Sequence, residues 1–320
     1  MTKENQKFDA TPDFEKIEME EKETLSRRIQ TYSVEALKVG LAIDKIFVQH
    51  TRFNEGLGAL DRVFQISREV AMSHGLRVIG PPGVGKSALL NYFSESLPRS
   101  SLFAPGLGCV CIRASARPTT GQILSSLLEA YKYPLISNSE NKIYTRKIQA
   151  LELVQLKGTR LIFIDEAHNL VRQVRRRGGK TAEPDATVFL CELMDATNVA
   201  LVLGGTDELD KLADVDNHLA DRIAGRVALS CFEPNGEWLA FLLAFSKACT
   251  WFDIKLIEDH KQAKLLHTAT GGSPRHLKRM LTEAVLVAVQ AKCKLLQPEH
   301  FAQAYALIYG KQSLRTNPYV

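Results

Sequence analysis

The segment Gly80-Pro81-Pro82-Gly83-Val84-Gly85-Lys86-Ser87 limits what this chain can fold into more than any other. It follows an apolar run, Leu76 to Ile79 broken only by Arg77, and leads into Ala88-Leu89-Leu90-Asn91-Tyr92-Phe93. Strand, glycine-rich turn and helix in that order are the setting in which the pattern GxxxxGK[ST] holds phosphate. Backbone N–H groups of such a loop and the positive end of its helix face the anion. Lys86 is placed to reach the β- and γ-phosphates and Ser87 to hold Mg²⁺, with Gly80 to Gly85 and Ala88 as the cradle. A nucleoside triphosphate with Mg²⁺ is the expected cofactor.

A second run, Leu161-Ile162-Phe163-Ile164, is continuously apolar, as a strand buried on both faces of a parallel sheet should be. It ends in Asp165-Glu166, so two carboxylates stand at the carboxyl end of a strand, where open α/β sheets bind ligands. Asp165 suits the Mg²⁺ shell, with Ser87, and Glu166 suits polarisation of an attacking water. Guanine-reading strings such as Asn-Lys-x-Asp are absent, which leaves ATP as the expected nucleotide.

Around these motifs, apolar strands at Cys109–Ile112 and Val199–Leu203 alternate with amphipathic helices at Asn54–Met72, Thr120–Tyr131, Lys142–Leu156 and Val188–Ala196. That alternation predicts a three-layer α/β domain with a mostly parallel sheet. After Pro234 the pattern is helical to Tyr309, which predicts a small all-α lid. The expected organisation is a 1–33 acidic arm, a 34–233 nucleotide-binding domain, a 234–310 helical domain and a 311–320 tail. No apolar run approaches the roughly 18 residues of a membrane span. The polar, mixed-charge start of the chain does not read as a secretory leader, so a cytoplasmic protein is expected. Six scattered cysteines without CxxC spacing read as reduced thiols, and a net charge of +5 permits a nucleic-acid partner.

Further polar groups fall where such a site needs them. Thr206 follows the strand Val199–Leu203 and Gly204-Gly205, beside the expected γ-phosphate, where it can orient water or cap the helix Asp207–Leu212. Arg222 and Arg226 are four residues apart, expected on one helical face, and either can complete a neighbouring subunit's site or serve in a surface ion pair. Gly271-Gly272-Ser273-Pro274-Arg275 opens a helix, with Arg275 in its first turn and able to reach phosphates in cis. Val48 and Phe53 precede the loop by one helix and are candidates to line the adenine or simply core.

Taken together these residues resemble the AAA+ ATPases, and more narrowly the transposition ATPases TniB and TnsC. The resemblance runs from about Ile46 to Gly310 and rests on five strings. These are Gly80–Ser87, Leu161-Ile-Phe-Ile-Asp-Glu-Ala-His-Asn-Leu170, Leu203-Gly-Gly-Thr-Asp-Glu208, Leu219-Ala-Asp-Arg-Ile223 and Gly271-Gly-Ser-Pro-Arg275. It implies that Thr206 and Arg275 act as nucleotide sensors and that Arg226, rather than Arg222, acts in trans. It also implies rings or filaments around double-stranded DNA that connect a target selector to a transposase. Helicase loaders and replication initiators share the nucleotide motifs and remain the alternative. If the family's behaviour carries over, Arg117, Thr119, Lys142 and Arg146 are the candidate contacts to DNA phosphates. The basic loop Arg172–Lys180, with five cations and no acid, is a rival.

Overall fold

Parallel strands with apolar residues on both faces must be covered from both sides, and the chain builds its larger unit that way. A computed structural model describes residues 32–70, 74–97, 108–133, 143–175, 185–310 and 316–320. Residues 1–31 of the acidic arm, Lys142 and the basic loop after Arg175 therefore lie outside the described residues. Among the described residues, five parallel strands form one sheet in the order β2-β3-β4-β1-β5. They are β1 (Gly75–Ile79), β2 (Cys109–Arg113), β3 (Leu161–Asp165), β4 (Ala200–Gly205) and β5 (Gly225–Ala228).

Alternate residues of each strand enter opposite cores. Ile162 and Ile164 of β3 join Leu201 and Leu203 of β4 on one face, beneath α4 (Thr120–Ala130), α5 (Ile143–Leu156) and α7 (Asp185–Thr197). Leu161 and Phe163 join Ala200 and Val202 on the other, beneath α2 (Thr51–Glu69) and α3 (Lys86–Ser96). Phe163 meets Phe93 of α3 edge to face, with centroids 5.9 Å apart. Each such fully buried side chain contributes about 1.5–3 kcal/mol. Two elements complete the unit at the site end: α6 (His168–Arg175) follows β3, and α8 (Asn217–Arg222) precedes β5. Between β4 and α8 runs a 3₁₀ helix, Asp207–Asp214.

Contacts divide the chain into two units, one spanning Gln49–Cys231 and the other combining residues up to Val48 with Phe232–Val320. Residues 34–48, expected from their position in the chain to join the nucleotide-binding domain, thus belong with the helical unit. The reason is apolar complementarity. Ile43 of α1 (Val34–Asp44) is fully buried among helical-unit residues, and Gly40 lies so close to α11 (Pro274–Gln290) that a Cβ there would stand 2.9 Å from Leu286 Cδ2. Lys278 Nζ also donates to the Asp44 carbonyl at 2.6 Å.

The rest of that unit is α9 (Gly236–Ala248), α10 (His260–Thr270) and α12 (Pro298–Tyr309). Phe232 stacks on Phe241 at 4.6 Å in its core, and Trp238 Nε1 donates to the Ala263 carbonyl at 2.8 Å. The end of the tail is attached as well, since Tyr319 stacks on Phe301 at 5.3 Å. The α/β fold with a helical C-terminal region matches the expectation. Two local readings are corrected. The segment after Arg222 is a strand and not a continuation of the helix, and Asp207–Asp214 is 3₁₀. Among the described residues no helix is long and apolar enough to cross a membrane, and every described cysteine is free.

Candidate nucleotide site

Three strands that are neighbours in the sheet deliver the site. Register pairs Ile79 with Gly205 and Leu203 with Ile164, so the carboxyl ends of β1, β4 and β3 lie side by side. From β1 the chain turns through Gly80, Gly83 and Gly85, with φ of 156°, 87° and 101°. Gly80 is required by packing: a Cβ there would lie 2.0 Å from the Leu229 carbonyl oxygen. Lys86 opens α3 and its Nζ donates to the carbonyls of Gly80 at 2.6 Å and Pro81 at 3.0 Å. The amine is thereby folded over the loop that the sequence reading assigned to phosphate. Pro81, Pro82, Ser87 and Ala88 are exposed, whereas Gly83 and Val84 are buried beneath them.

Ser87 Oγ donates to Asp165 Oδ2 at 2.9 Å, which joins the first turn of α3 to the end of β3. Two adjacent oxygens, one hydroxyl and one carboxylate, are the donor set that Mg²⁺ takes from protein while keeping waters and phosphate oxygens. The Glu166 backbone N–H donates to Asp165 Oδ1 at 2.9 Å, which fixes the carboxylate plane. Asp165 and Ser87 thus come together as the sequence reading required of a metal-holding pair.

Glu166 itself has φ of 55°, a left-handed conformation that costs a non-glycine residue about 1 kcal/mol or more. Its carboxylate lies 3.4 Å from His168 Nε2 and 3.9 Å from Arg113 Nη2. Sequence reasoning missed both neighbours. Arg113 is brought alongside by the β2–β3 register, which pairs it with Asp165. His168 was legible only as part of the string Asp165-Glu166-Ala167-His168. The ring is buried, and burial, reinforced by Arg172, pushes its pKa below the ordinary 6.5 against the opposing pull of Glu166 and Glu208.

Thr206 follows β4 and starts the 3₁₀ helix, but its hydroxyl makes no cap bond, and Oγ1 is buried without a hydrogen-bond partner. Buried hydroxyls are usually bonded, so Oγ1 keeps hydrogen-bonding capacity at the end of β4.

The basic candidates separate. Arg222, at the end of α8, forks Asp195 through Nε at 3.1 Å and Nη2 at 2.9 Å. Arg226 stands on β5, opposite Arg77 of β1, and binds Asp210. The single helical face expected for the two arginines does not exist, because Ile223 ends the helix to bury its side chain completely. Arg275 is exposed in the first turn of α11, after Gly271 and Gly272. Val48 packs with the core of the helical unit, while Phe53 is 3 % exposed in the core of the other and lies edge to face with Tyr92.

Of the DNA candidates, Arg117 is exposed and Thr119 forms a capping box at the start of α4, accepting from Gln122 N at 3.3 Å. Arg146 is 3 % exposed and donates to Ser125 Oγ and the Gly121 carbonyl, so it joins α5 to α4 and is not a surface contact. Its position on an apparently mixed helix concealed that burial. In the rival loop, Arg172 is already paired with Glu208, with Nη2 to Oε1 at 3.2 Å.

A parallel sheet carrying a phosphate loop on β1, paired acids on β3 and a polar residue after β4, with a helical C-terminal unit, defines the AAA+ ATPase class. The Bacterial TniB protein family profile matches residues 40–230, and the chain belongs to that family. Among solved structures, the Aeropyrum pernix ORC2 protein in its ADPNP–ADP complexes has a TM-score of 0.60 at 14% identity, over 83% of this chain and 71% of that one. The Aeropyrum pernix ORC1 protein in complex with DNA gives 0.60 at 16%, over 82% and 66%. Drosophila ORC bound to DNA gives 0.58 at 13%, over 92% and 74%. At these identities the likeness is one of fold. Among curated proteins, the ESX-1 secretion system protein EccA1 of Mycolicibacterium smegmatis is 24% identical over 203 residues, 62% of this chain. That match spans 30% of EccA1's length.

Proposed function

We propose that this TniB-family chain is a cytoplasmic ATPase that assembles as an oligomer on double-stranded DNA and links target-site selection to a transposase. The observation that carries the ATPase reading is the Ser87–Asp165 pair beside Glu166, with the unpartnered Thr206 hydroxyl at the neighbouring strand end. Bound Mg²⁺ would supply charge neutralisation at the phosphate oxygens. Lys86 leaves the Gly80 and Pro81 carbonyls for phosphate, Glu166 orients water and accepts its proton, and Thr206 supplies the hydroxyl that fixes the water's position. Arg226 of one subunit serves the site of the next, and Arg275 links nucleotide state to the helical unit.

The DNA reading rests on family membership and on Arg117 and Thr119. Arg117 is an exposed cation and Thr119 marks the start of α4, a combination that suits a phosphate backbone without reading bases. Partners follow from the family alone. Electron microscopy of the protein with duplex DNA and a slowly hydrolysed ATP analogue tests the whole reading. Rings or filaments on DNA support it, and free monomers under saturating nucleotide overturn it. The likeness to ORC proteins favours a second reading as a replication initiator or helicase loader, to which a complex formed only with a replicative helicase would point.

A further inference from the structure

Glu166 is the hydrolytic residue of the reading above, and its backbone is left-handed, with φ of 55°. Backbone bonds fix the main chain on either side: Ala167 N donates to Gly204 O at 2.8 Å and Asn169 N to Glu166 O at 3.0 Å. They do not fix the carboxylate. Arg113 reaches it only at 3.9 Å with a side chain that is 77% exposed, and so exposed a pair holds a side chain weakly.

His168 is differently placed. Its side chain is 7% exposed, and Nε2 stands 3.4 Å from Glu166 Oε2. The opposite edge of the ring is seated on β4. A Cβ at Gly205 would lie 2.7 Å from Leu209 Cδ1, 3.0 Å from the His168 backbone nitrogen and 3.2 Å from His168 Nδ1, so the glycine gives the ring and Leu209 close seating on β4. Nδ1 is buried and has no hydrogen-bond partner. A neutral ring carries one proton; among the described residues Nδ1 meets no hydrogen-bond partner, whereas Nε2 faces the Glu166 carboxylate. The proton is therefore assigned to Nε2, facing Glu166, with the Nδ1 lone pair turned into the glycine seat.

We propose that His168 is a positioning residue for hydrolysis: clamped between Gly205 and Glu166, its Nε2–H holds the carboxylate where it can accept a proton from water. Because Gly205 directly precedes Thr206, the ring also ties the acid at the end of β3 to the polar residue at the end of β4. The inference depends on Glu166 being the hydrolytic acid.

The test is steady-state ATP hydrolysis with parallel ATP binding by the full chain, for His168→Ala, His168→Gln, His168→Asn and Glu166→Gln. A glutamine amide can bring its N–H to the place of Nε2, whereas asparagine ends near Nδ1. His168→Ala should lower kcat about tenfold or more while KM and ATP binding change less than about twofold. His168→Gln should recover to within about threefold of the parent, and His168→Asn should not. Turnover of His168→Ala within about twofold of the parent, with Glu166→Gln inactive, overturns the positioning role and leaves the ATPase reading standing. Full turnover by Glu166→Gln removes Glu166 from the role of hydrolytic acid, and the proposal falls with that assignment while ATP hydrolysis by the chain stands. If the alanine variant does not fold, equal rates for the glutamine and asparagine variants overturn the proposal.

Discussion

Arg226 on β5 grips Asp210 of the 3₁₀ helix through two nitrogens, Nε to Oδ1 at 3.0 Å and Nη2 to Oδ2 at 3.0 Å. Arg77, its register partner on β1, reaches the same carboxylate at 3.4 Å. These hydrogen bonds hold the Asp210 carboxyl below its ordinary pKa, so it stays charged at neutral pH. For Arg226 to serve a neighbour's phosphate, it must exchange Asp210 for that phosphate. Its bidentate geometry makes the pair stronger than a single surface contact, but both side chains are partly exposed, and solvent screening keeps it exchangeable.

The Arg226→Ala chain should therefore bind ATP normally but hydrolyse it about 10³-fold more slowly, the usual loss for a transition-state arginine. Mixing it with Lys86→Ala subunits should restore turnover, because each would supply what the other lacks. Phosphate release from mixtures of the two chains checks this. If Arg222→Ala needs rescue and Arg226→Ala does not, the roles of the two arginines are exchanged.

Glu166→Gln should retain ATP binding and lose at least about 100-fold in turnover, the range for removing a general base. Its amide keeps the size of the side chain and leaves the Ser87–Asp165 pair intact. Single-turnover phosphate release beside equilibrium nucleotide binding separates the two effects. The variant should also remain on DNA longer, read by the dissociation rate in the presence of ATP.

Gly272→Ala should destabilise the protein by about 3 kcal/mol or more, because it combines an unfavourable backbone with an overlap that rigid groups cannot relieve. Gly272 has φ of 67°, and a Cβ would stand 2.0 Å from the Phe232 carbonyl oxygen. The Phe232 N–H donates to the Gly272 carbonyl at 2.9 Å, so the two backbones are already joined. Gly271 has φ of 61° with open space around it, and its alanine variant should lose only about 1 kcal/mol. Thermal melts of the two variants give the contrast.

Stability should fall on mild acidification through His300. Its Nδ1 accepts from Gln297 N at 3.1 Å at the start of α12, an arrangement open only to a ring with that nitrogen unprotonated. Burial lowers its pKa from the ordinary 6.5. The unfolded chain thus binds the proton more readily, so the contribution is complete above that value and declines as pH falls through it. His168 shifts in the same direction. Between about pH 7.5 and pH 5.5 the melting temperature of His300→Gln should vary less than that of the parent.

Much of the α/β unit was legible in the chain because its strands are local events. Leu161–Ile164 and Val199–Leu203 are apolar without interruption, and Gly80–Ser87 has no other common setting. β5 was not legible: Gly225–Ala228 carries only Val227 as a large apolar residue, and it is a strand because β1 offers it an edge. Arg146 read as a surface cation because its spacing says nothing of the α4 carbonyl and hydroxyl that receive it.

By itself the sequence determined the phosphate loop, the acids after β3, the hydroxyl after β4 and the order in which strands and helices alternate. Those depend on residue type and short-range spacing. Only the tertiary structure decided that Ser87 meets Asp165, that His168 lies between Gly205 and Glu166, that Arg226 is held by Asp210, and that α1 packs with the helical unit. Each of these joins segments through sheet register or apolar packing, and such pairings are set by which surfaces fit together and not by any one stretch of chain.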